Sequence, residues 1–288
     1  MRPDPRFLLQ PPEFWAYVRT IGQEVGYTES RRRKIKAPTL AEVRAAFDRL
    51  GLSVAQIESS VDRPTTFGAT LFAYFAFRAE VLNEAVASSL MDKDEAEKEF
   101  RRLRRRLRPR CPLPMNKQKG DKRNHAFLTG IVNMLVEAGV GGAPCDFDPR
   151  GLTTVTRDGR PVRTLARRVD GAFPSVVDPI AIWEIKEYYY TTTFGSRVAD
   201  GVYETLLDGM ELRELEAATG RRIDHVLFVD ARSTWWDCGR SYLCRLIDML
   251  HMGLVDEVIF GREVLTRLPD LVSGWAARYW ALHPGRDL

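Results

Sequence analysis

Residues 168–186 have the sequence RVDGAFPSVVDPIAIWEIK, and the second half of this stretch decides the fold. From Ile180 onward its apolar residues are mostly β-branched or aromatic, which favours a buried strand. Successive side chains of a strand point to opposite faces, so Glu184 and Lys186 share one face. Charges on a buried strand cost several kcal/mol unless each finds a partner or a metal ion. We therefore expect both residues to be compensated within a site.

A second extended segment precedes this strand, at residues 164–173, and it carries Asp170. The intervening residues 174–179 contain proline, serine and aspartate, which favour turns. The two segments are therefore predicted to form an antiparallel hairpin that brings Asp170 beside Glu184. Two carboxylates and a lysine at one strand end can hold a hard divalent cation through oxygen ligands, with the lysine beside the water or phosphate.

The pattern of Asp170 followed, after thirteen residues, by Glu184-Ile185-Lys186 resembles the PD-(D/E)XK nuclease superfamily, which has the restriction-endonuclease-like fold. The resemblance spans residues 124–260, because the order of predicted elements there also fits. It implies an α/β (α+β) fold class, in which an N-terminal helical domain precedes an αβββαβ core. In that core a central mixed sheet is flanked by helices.

The resemblance implies Mg²⁺-dependent hydrolysis of phosphodiester bonds, with Mn²⁺ as a possible substitute. Asp170, Glu184 and Lys186 would be the catalytic residues. Asp170 and Glu184 would ligate the metal, the carbonyl of Ile185 would add a ligand, and Lys186 would position or deprotonate the attacking water. Metal and lysine together would neutralise the charge that grows on the phosphate in the transition state.

Other residues compete for these roles. Asp178 is a rival for the first carboxylate, but its Val-Asp-Pro setting favours a turn residue. The resemblance also implies an acidic residue on the first core helix, where Glu137 lies at the far end and His125 at the near end is the candidate substitute. The plainest alternative is that Glu184 and Lys186 form a solvated pair on an edge strand, against which the flanking apolar residues argue.

The composition, 44% hydrophobic and 28% charged over 288 residues, is that of a soluble globular protein with one large domain or two ordinary ones. The sequence has no run of about 18 apolar residues and no signal-peptide pattern. A cytoplasmic location and no membrane partner are therefore expected. The four cysteines have no CxxC spacing, which favours reduced thiols over a zinc site or a disulfide framework.

The net charge of +4 is unevenly distributed. Residues 1–125 contain 25 lysines and arginines against 16 acidic residues, whereas the rest of the chain contains 18 against 23. The basic half, together with the hydroxyl-rich tract after residue 187, is predicted to contact a polyanion. The residues predicted to contact nucleic acid are Arg31, Arg32, Arg33, Lys34, Arg104, Arg105, Lys117, Lys119, Lys122, Arg123, Tyr190, Thr192, Ser196 and Arg197.

Helical patterns dominate the first 110 residues, which we predict to be a basic, DNA-binding domain. Apolar periodicity and capping boxes at Thr39-Glu42 and Ser53-Gln56 predict helices at residues 13–26, 39–50, 53 onward, 65–90 and 92–107. The glycine turn between the two capping boxes is compatible with a helix-turn-helix reader and equally with ordinary helical packing. Residues 111–123, with two prolines, are predicted to be a linker to the catalytic domain at 124–288.

The catalytic domain is predicted to alternate strands and helices. A helix at residues 124–138 precedes a hairpin around Asp158-Gly159, a strong turn signal. A helix between the strand of Glu184 and the next strand makes that pair parallel. The predicted strands are residues 152–156, 164–173, 180–186, 223–229 and 257–260, and the later helices are residues 197–219, 242–251 and 262 onward.

The sequence therefore predicts a metal-dependent endonuclease that cuts double-stranded DNA, as in type II restriction or phage defence. Cutting both strands of a duplex asks for two active sites, so a homodimer is expected. One alternative keeps the chemistry but acts on RNA or single strands. The other is a non-catalytic DNA-binding or regulatory protein on a degenerate nuclease scaffold.

Overall fold

A computed structural model describes residues 1–8, 10–29, 34–60, 63–118, 121–190 and 195–284; for residues 117, 118, 121–123, 196 and 197 only the backbone is described. The chain is a mixed α/β protein whose central mixed sheet is flanked by helices. Its first half contains α1 (Pro12–Val25), β1 (Thr28–Glu29), β2 (Lys34–Ile35), α2 (Leu40–Leu50), β3 (Glu58–Ser60), β4 (Arg63–Pro64), α3 (Thr66–Val81), α4 (Ala87–Ser89) and α5 (Lys93–Leu107).

The second half supplies the central sheet, whose strand order is β13-β12-β11-β10-β7. Strand β10 is antiparallel to both of its neighbours, whereas β11, β12 and β13 are parallel to one another. The elements are β5 (Met115–Gln118), β6 (Asp121–His125), α6 (Phe127–Gly139), β7 (Asp146–Phe147), β8 (Thr154–Arg157), β9 (Arg160–Thr164), β10 (Gly171–Phe173), β11 (Ala181–Glu187), α7 (Ser196–Thr219), β12 (Asp224–Asp230), α8 (Arg240–His251), β13 (Glu257–Phe260) and α9 (Val264–Leu282).

Capping residues set the starts of two N-terminal helices, and of the two pairs the one at Thr39 was predicted. The Thr39 hydroxyl accepts a hydrogen bond from the Glu42 amide, and the Glu42 carboxylate accepts one from the Thr39 amide. Asp92 and Glu95 form the same reciprocal pair at the start of α5. Each pair satisfies two backbone donors that a helix start leaves free.

The second predicted capping box does not open a helix. Ser53 instead accepts a hydrogen bond from the Ala55 amide at 3.2 Å, and the Ile57 amide donates to the Val54 carbonyl at 2.8 Å. This local side-chain bond competes with a helix, and the chain passes through a turn into the β3–β4 hairpin. The helix-turn-helix interpretation is therefore wrong.

Two short pairings in the second half also differ from the sequence prediction. Strands β5 (Met115–Gln118) and β6 (Asp121–His125) pair with each other, although residues up to 123 were predicted as an irregular linker and residues 124–125 as the start of a helix. The predicted hairpin around Asp158-Gly159 forms as β8–β9 but lies outside the central sheet. The first strand of the central sheet is instead β7, and of the predicted strand at 164–173 only residues 171–173 belong to that sheet. Two-residue strands carry too little periodicity to be predicted.

Strand β11 lies at the centre of the sheet and separates two cores. Trp183 faces α6 and α9, where its ring stacks on that of Trp275 with centroids 5.8 Å apart. Ile182 faces the other way and packs against Leu212 and Leu215 of α7. This alternation, a consequence of the pleat, places Glu184 and Lys186 on the side of α7.

A buried ion pair joins the N-terminal helices to the rest of the protein. Arg78 of α3, 1% exposed, lies 2.8 Å from the carboxylate of Asp248 on α8, which is 5% exposed. The Tyr74 hydroxyl donates to the same carboxylate at 2.6 Å. Each of the two charges is therefore compensated by a partner from another part of the chain.

We expect Arg78→Met to destabilise the protein by about 3–5 kcal/mol, because it leaves the Asp248 carboxylate buried without its cation. Guanidinium denaturation followed by circular dichroism measures this loss. The control is Arg262→Met, which breaks the exposed pair between Arg262 and Glu95 and should cost about 1 kcal/mol or less. Equal small losses in the two variants would contradict the assigned role of the buried pair.

Candidate active site at the end of strand β11

Asp170, the residue before β10, lies opposite Glu184 of β11. Gly171 pairs with Trp183, and the Asp170 amide donates to the Trp183 carbonyl at 3.1 Å. The Ile185 amide in turn donates to Asp170 Oδ2 at 2.7 Å. Residues directly opposite in an antiparallel pair point to the same face. The structure thus brings together the two carboxylates that the hairpin prediction placed side by side.

Lys186 completes the predicted group on the same face. Glu184 is 0% exposed and Lys186 is 6% exposed, so the pair does not lie on a solvated edge strand. Lys186 Nζ donates to Glu184 Oε2 and to Glu204 Oε2, both at 2.9 Å. The burial penalty that the sequence predicted is met by direct ion pairing.

Three residues at this site were absent from the sequence prediction. Arg167 Nη1 lies 2.9 Å from Glu184 Oε1 and 2.6 Å from Asp208 Oδ2. Arg167 Nη2 lies 3.3 Å from Glu204 Oε2. Glu204 and Asp208 are four residues apart on α7 and therefore share one helix face. That i,i+4 acidic pair on a predicted helix was the available signal.

The cluster carries more negative than positive charge. Within the described residues, four carboxylates, from Asp170, Glu184, Glu204 and Asp208, face two cations, Arg167 and Lys186. The formal excess of two negative charges equals the charge of one divalent cation.

The pKa values of the cluster follow from this crowding. Burial and the nearby Glu184 charge raise the pKa of Asp170 to about 7, and the same two causes raise the pKa of Asp208 to about 7. The pKa of Lys186 is also raised: burial opposes its charge, but Glu184, Glu204 and Asp170 outweigh this. Lys186 is therefore a cation in this arrangement.

Glu187 lies on the opposite face of β11. Its carboxylate accepts hydrogen bonds from the Phe127 amide at 2.7 Å, the Thr129 amide at 3.0 Å and the Thr129 hydroxyl at 3.1 Å. These donors are at the start of α6, where a helix leaves its amides free and favours a negative charge. Glu187 thus fixes the first core helix to the strand that carries the site.

The carboxylates of the cluster fit a hard cation that needs few ligands from the protein. Within the described part of the chain, no three or more histidine, cysteine, aspartate or glutamate side chains form a group that could hold a metal ion. Mg²⁺ needs less, because it is commonly bound by one or two carboxylates and retains waters. Glu184 Oε1 is buried and accepts no hydrogen bond, although Arg167 lies beside it. This oxygen and the Asp170 carboxylate are the ligands that a cation could use, in competition with Arg167 for Glu184.

The rival and substitute residues have other roles. Asp178 binds the Thr156 amide at 2.7 Å and pairs with Arg221 at 2.6 Å, so it holds a loop, as its turn sequence indicated. Glu137 accepts from the Arg110 amide, and the ring of His125 packs against Phe100 with centroids 5.0 Å apart. Glu137 and His125 are not among the residues that contact the cluster.

The predicted nucleic-acid contacts are placed only in part. Lys34, Arg104 and Arg105 are exposed, whereas the ring of Tyr190 packs against Phe127 and beneath Lys93. The other candidates lie outside the described residues or side chains: Arg31, Arg32, Arg33, Lys117, Lys119, Lys122, Arg123, Thr192, Ser196 and Arg197.

Fold and cluster define a mixed α/β protein with a carboxylate-rich site at the end of a central strand. The chain belongs to the family described as "Domain of unknown function (DUF7687)", whose model matches residues 91–275 and hence more than half of the chain. Residues 1–85 match "Domain of unknown function (DUF7690)". Comparison with curated proteins and with solved structures gives no match. Among the described residues, no helix has the length and apolar character needed to cross a membrane.

Proposed function

We propose that this protein is a metal-dependent endonuclease that hydrolyses phosphodiester bonds of DNA. The observation that carries the proposal is the convergence of Asp170, Glu184 and Lys186 on one face of a buried strand end. The order of elements supports it: helix α6, strands β7, β10 and β11, helix α7 and strand β12 follow the αβββαβ order of restriction-endonuclease-like proteins.

The side chains have distinct tasks in this proposal. Asp170 and Glu184 hold the metal ion, which when bound lowers the pKa of water and neutralises phosphate charge. Lys186, fixed by Glu184 and Glu204, donates toward the water or a phosphate oxygen. Arg167, held by Asp208 and Glu204, presents a second preorganised cation to charge that grows on the phosphate.

Duplex DNA is the proposed substrate because the first 125 residues of the chain carry an excess of basic residues. The exposed arginines at the end of α5, Arg104, Arg105 and Arg106, have no carboxylate partner within the described residues. Unpaired cations on a surface attract a phosphate backbone. A homodimer with one site for each strand is part of the proposal, and restriction or phage defence is the proposed setting.

Incubation of the purified protein with plasmid DNA, single-stranded DNA and RNA, with and without Mg²⁺ or Mn²⁺, tests the proposal. We expect metal-dependent cutting of the plasmid. Preference for RNA or single strands would change the substrate and keep the chemistry. No cutting of any of the three would overturn the enzyme assignment.

Metal binding can be measured without turnover. We expect a saturating divalent cation such as Mn²⁺ to raise the melting temperature, because a ligand at about 100 times its Kd stabilises the folded state by roughly 2.7 kcal/mol. Glu184→Gln should lose this shift, since it removes one of the two carboxylates. Glu216→Gln, an exposed position on α7, is the control and should keep it. A shift that survives Glu184→Gln would place the metal elsewhere.

One feature favours a second candidate, a DNA-binding protein on a nuclease scaffold that has lost catalysis. Arg167 and Lys186 already neutralise Glu184, which is what two fixed cations in place of a metal would do. Such a protein would bind DNA with strong salt dependence and would cut none of the three substrates.

A further inference from the structure

A cavity separate from the acidic cluster lies where the N-terminal helices meet α7 and α8. Its volume is about 510 Å³, and its walls come from α1, α7, α8 and Tyr27. Pockets that hold small ligands have volumes of roughly 300–1,000 Å³. The cavity is therefore large enough for a ligand of nucleotide size.

The charge balance of this cavity is positive. Two carboxylates line it, but each has an arginine partner from outside the lining: Glu24 lies 3.9 Å from Arg49, and Asp248 is paired with the buried Arg78. The two arginines that line the cavity have no carboxylate partner within the described residues. An anion would therefore enter without meeting an unpaired negative charge.

Arg19 and Arg245 are these two arginines. Arg19 donates to the sulfur of Met252 at 3.6 Å. Arg245 donates to the hydroxyl of Tyr203 at 3.3 Å and lies over the ring of Tyr242. Within the described residues neither has a carboxylate partner. A guanidinium group binds phosphate through two parallel hydrogen bonds, and its flat face stacks on aromatic rings.

The remaining walls suit a flat, partly apolar group. Val202 and Leu206 of α7 and the flexible side chains Met249 and Met252 provide apolar surface. Tyr27 and Tyr203 add aromatic rings, on which nucleobases stack irrespective of sequence. One end of the ligand would be anionic and the other aromatic.

We propose that this cavity binds a free nucleotide, with Arg19 and Arg245 on its phosphates and its base against the tyrosines and methionines. The proposal is independent of the nuclease function, because no residue of the acidic cluster lines the cavity. The shared wall is α7, which turns Val202, Tyr203 and Leu206 toward the cavity and Glu204 toward the cluster. Nucleotide bound there would contact the helix that supplies two carboxylates of the cluster.

The test is titration calorimetry of the full chain, without metal, against ATP, GTP, dATP, AMP, adenosine and inorganic phosphate. We expect at least one nucleotide to bind with a Kd tighter than about 1 mM, and adenosine and phosphate to bind more weakly. Arg19→Met and Arg245→Met should each weaken binding by about tenfold or more, the effect of losing a charged hydrogen bond. Arg213→Met, at an exposed arginine of α7 that does not line the cavity, is the matched control.

Arg19 is exposed, so Arg19→Met should fold. The test therefore remains decisive even if Arg245→Met fails to fold. The proposal is overturned if no nucleotide binds within that limit, if phosphate alone binds as tightly as the nucleotides, or if the folded cavity variants bind like Arg213→Met.

Discussion

Replacing Lys186 by methionine, Glu184 by glutamine or Asp170 by asparagine is expected to abolish Mg²⁺-dependent cleavage of plasmid DNA while the fold is retained. The reason is electrostatic: each side chain is a charge fixed in a buried site, and its removal should lower the rate by roughly 10³-fold, the scale found for preorganised donors. The three substitutions keep the shape of the side chain, so packing around β11 changes little.

Cleavage is measured as the first-order conversion of supercoiled to linear plasmid, with circular dichroism as the check on folding. Glu216→Gln on the exposed surface of α7 controls for loss of any negative charge from that helix and should cut like the parent. If a folded variant at 170, 184 or 186 cuts as fast as Glu216→Gln, that residue is not part of the catalytic group.

The second large effect is expected at Arg167. Arg167→Ala should lower the cleavage rate by roughly 10²–10³-fold, because it removes one of the two cations that face Glu184. Arg167→Lys keeps the charge but loses the planar fork, so we expect an intermediate rate. The adjacent Arg168 is exposed, and Arg168→Ala is a matched control with near-parental activity.

The same variants separate the two candidate functions. If the protein is an enzyme, Arg167→Ala cuts DNA more slowly than the parent and still shows the Mn²⁺-dependent rise in melting temperature. In a scaffold without catalysis the parent cuts nothing, and Arg167→Ala would bind Mn²⁺ more tightly because a competing cation has gone. If the parent cuts DNA and Arg167→Ala cuts as fast as Arg168→Ala, Arg167 has no part in the reaction.

The sequence was informative where a short-range rule determines the structure. The period-two pattern around Trp183 predicted a buried strand, and turn residues before it predicted the antiparallel pairing with the segment of Asp170. The capping box at Thr39 and the strand at 257–260 follow equally local rules. From these alone the sheet centre and the Asp170–Glu184 pair could be placed.

The features that could not be predicted from the sequence depend on long-range packing. Arg167 lies outside any regular strand, and its role follows only from the way its segment approaches α7. Whether Glu204 and Asp208 point toward the cluster depends on the rotation of α7 about its axis, which local periodicity does not determine. The two-residue strand β7 and the polar β5–β6 hairpin carry no apolar period by which to be recognised. The metal, the substrate and the dimer remain predictions.

The two faces of β11 have separate duties, and this has a consequence for how the family can diverge. Glu187 anchors α6 whether or not the protein cuts DNA, whereas Glu184 and Lys186 are costly to bury and have their use in the proposed chemistry. If the proposed hydrolysis is the activity, a relative without it would be free to exchange positions 184 and 186 for apolar residues but would keep the glutamate at 187. Family members of that kind would identify lineages that keep the fold without the proposed reaction.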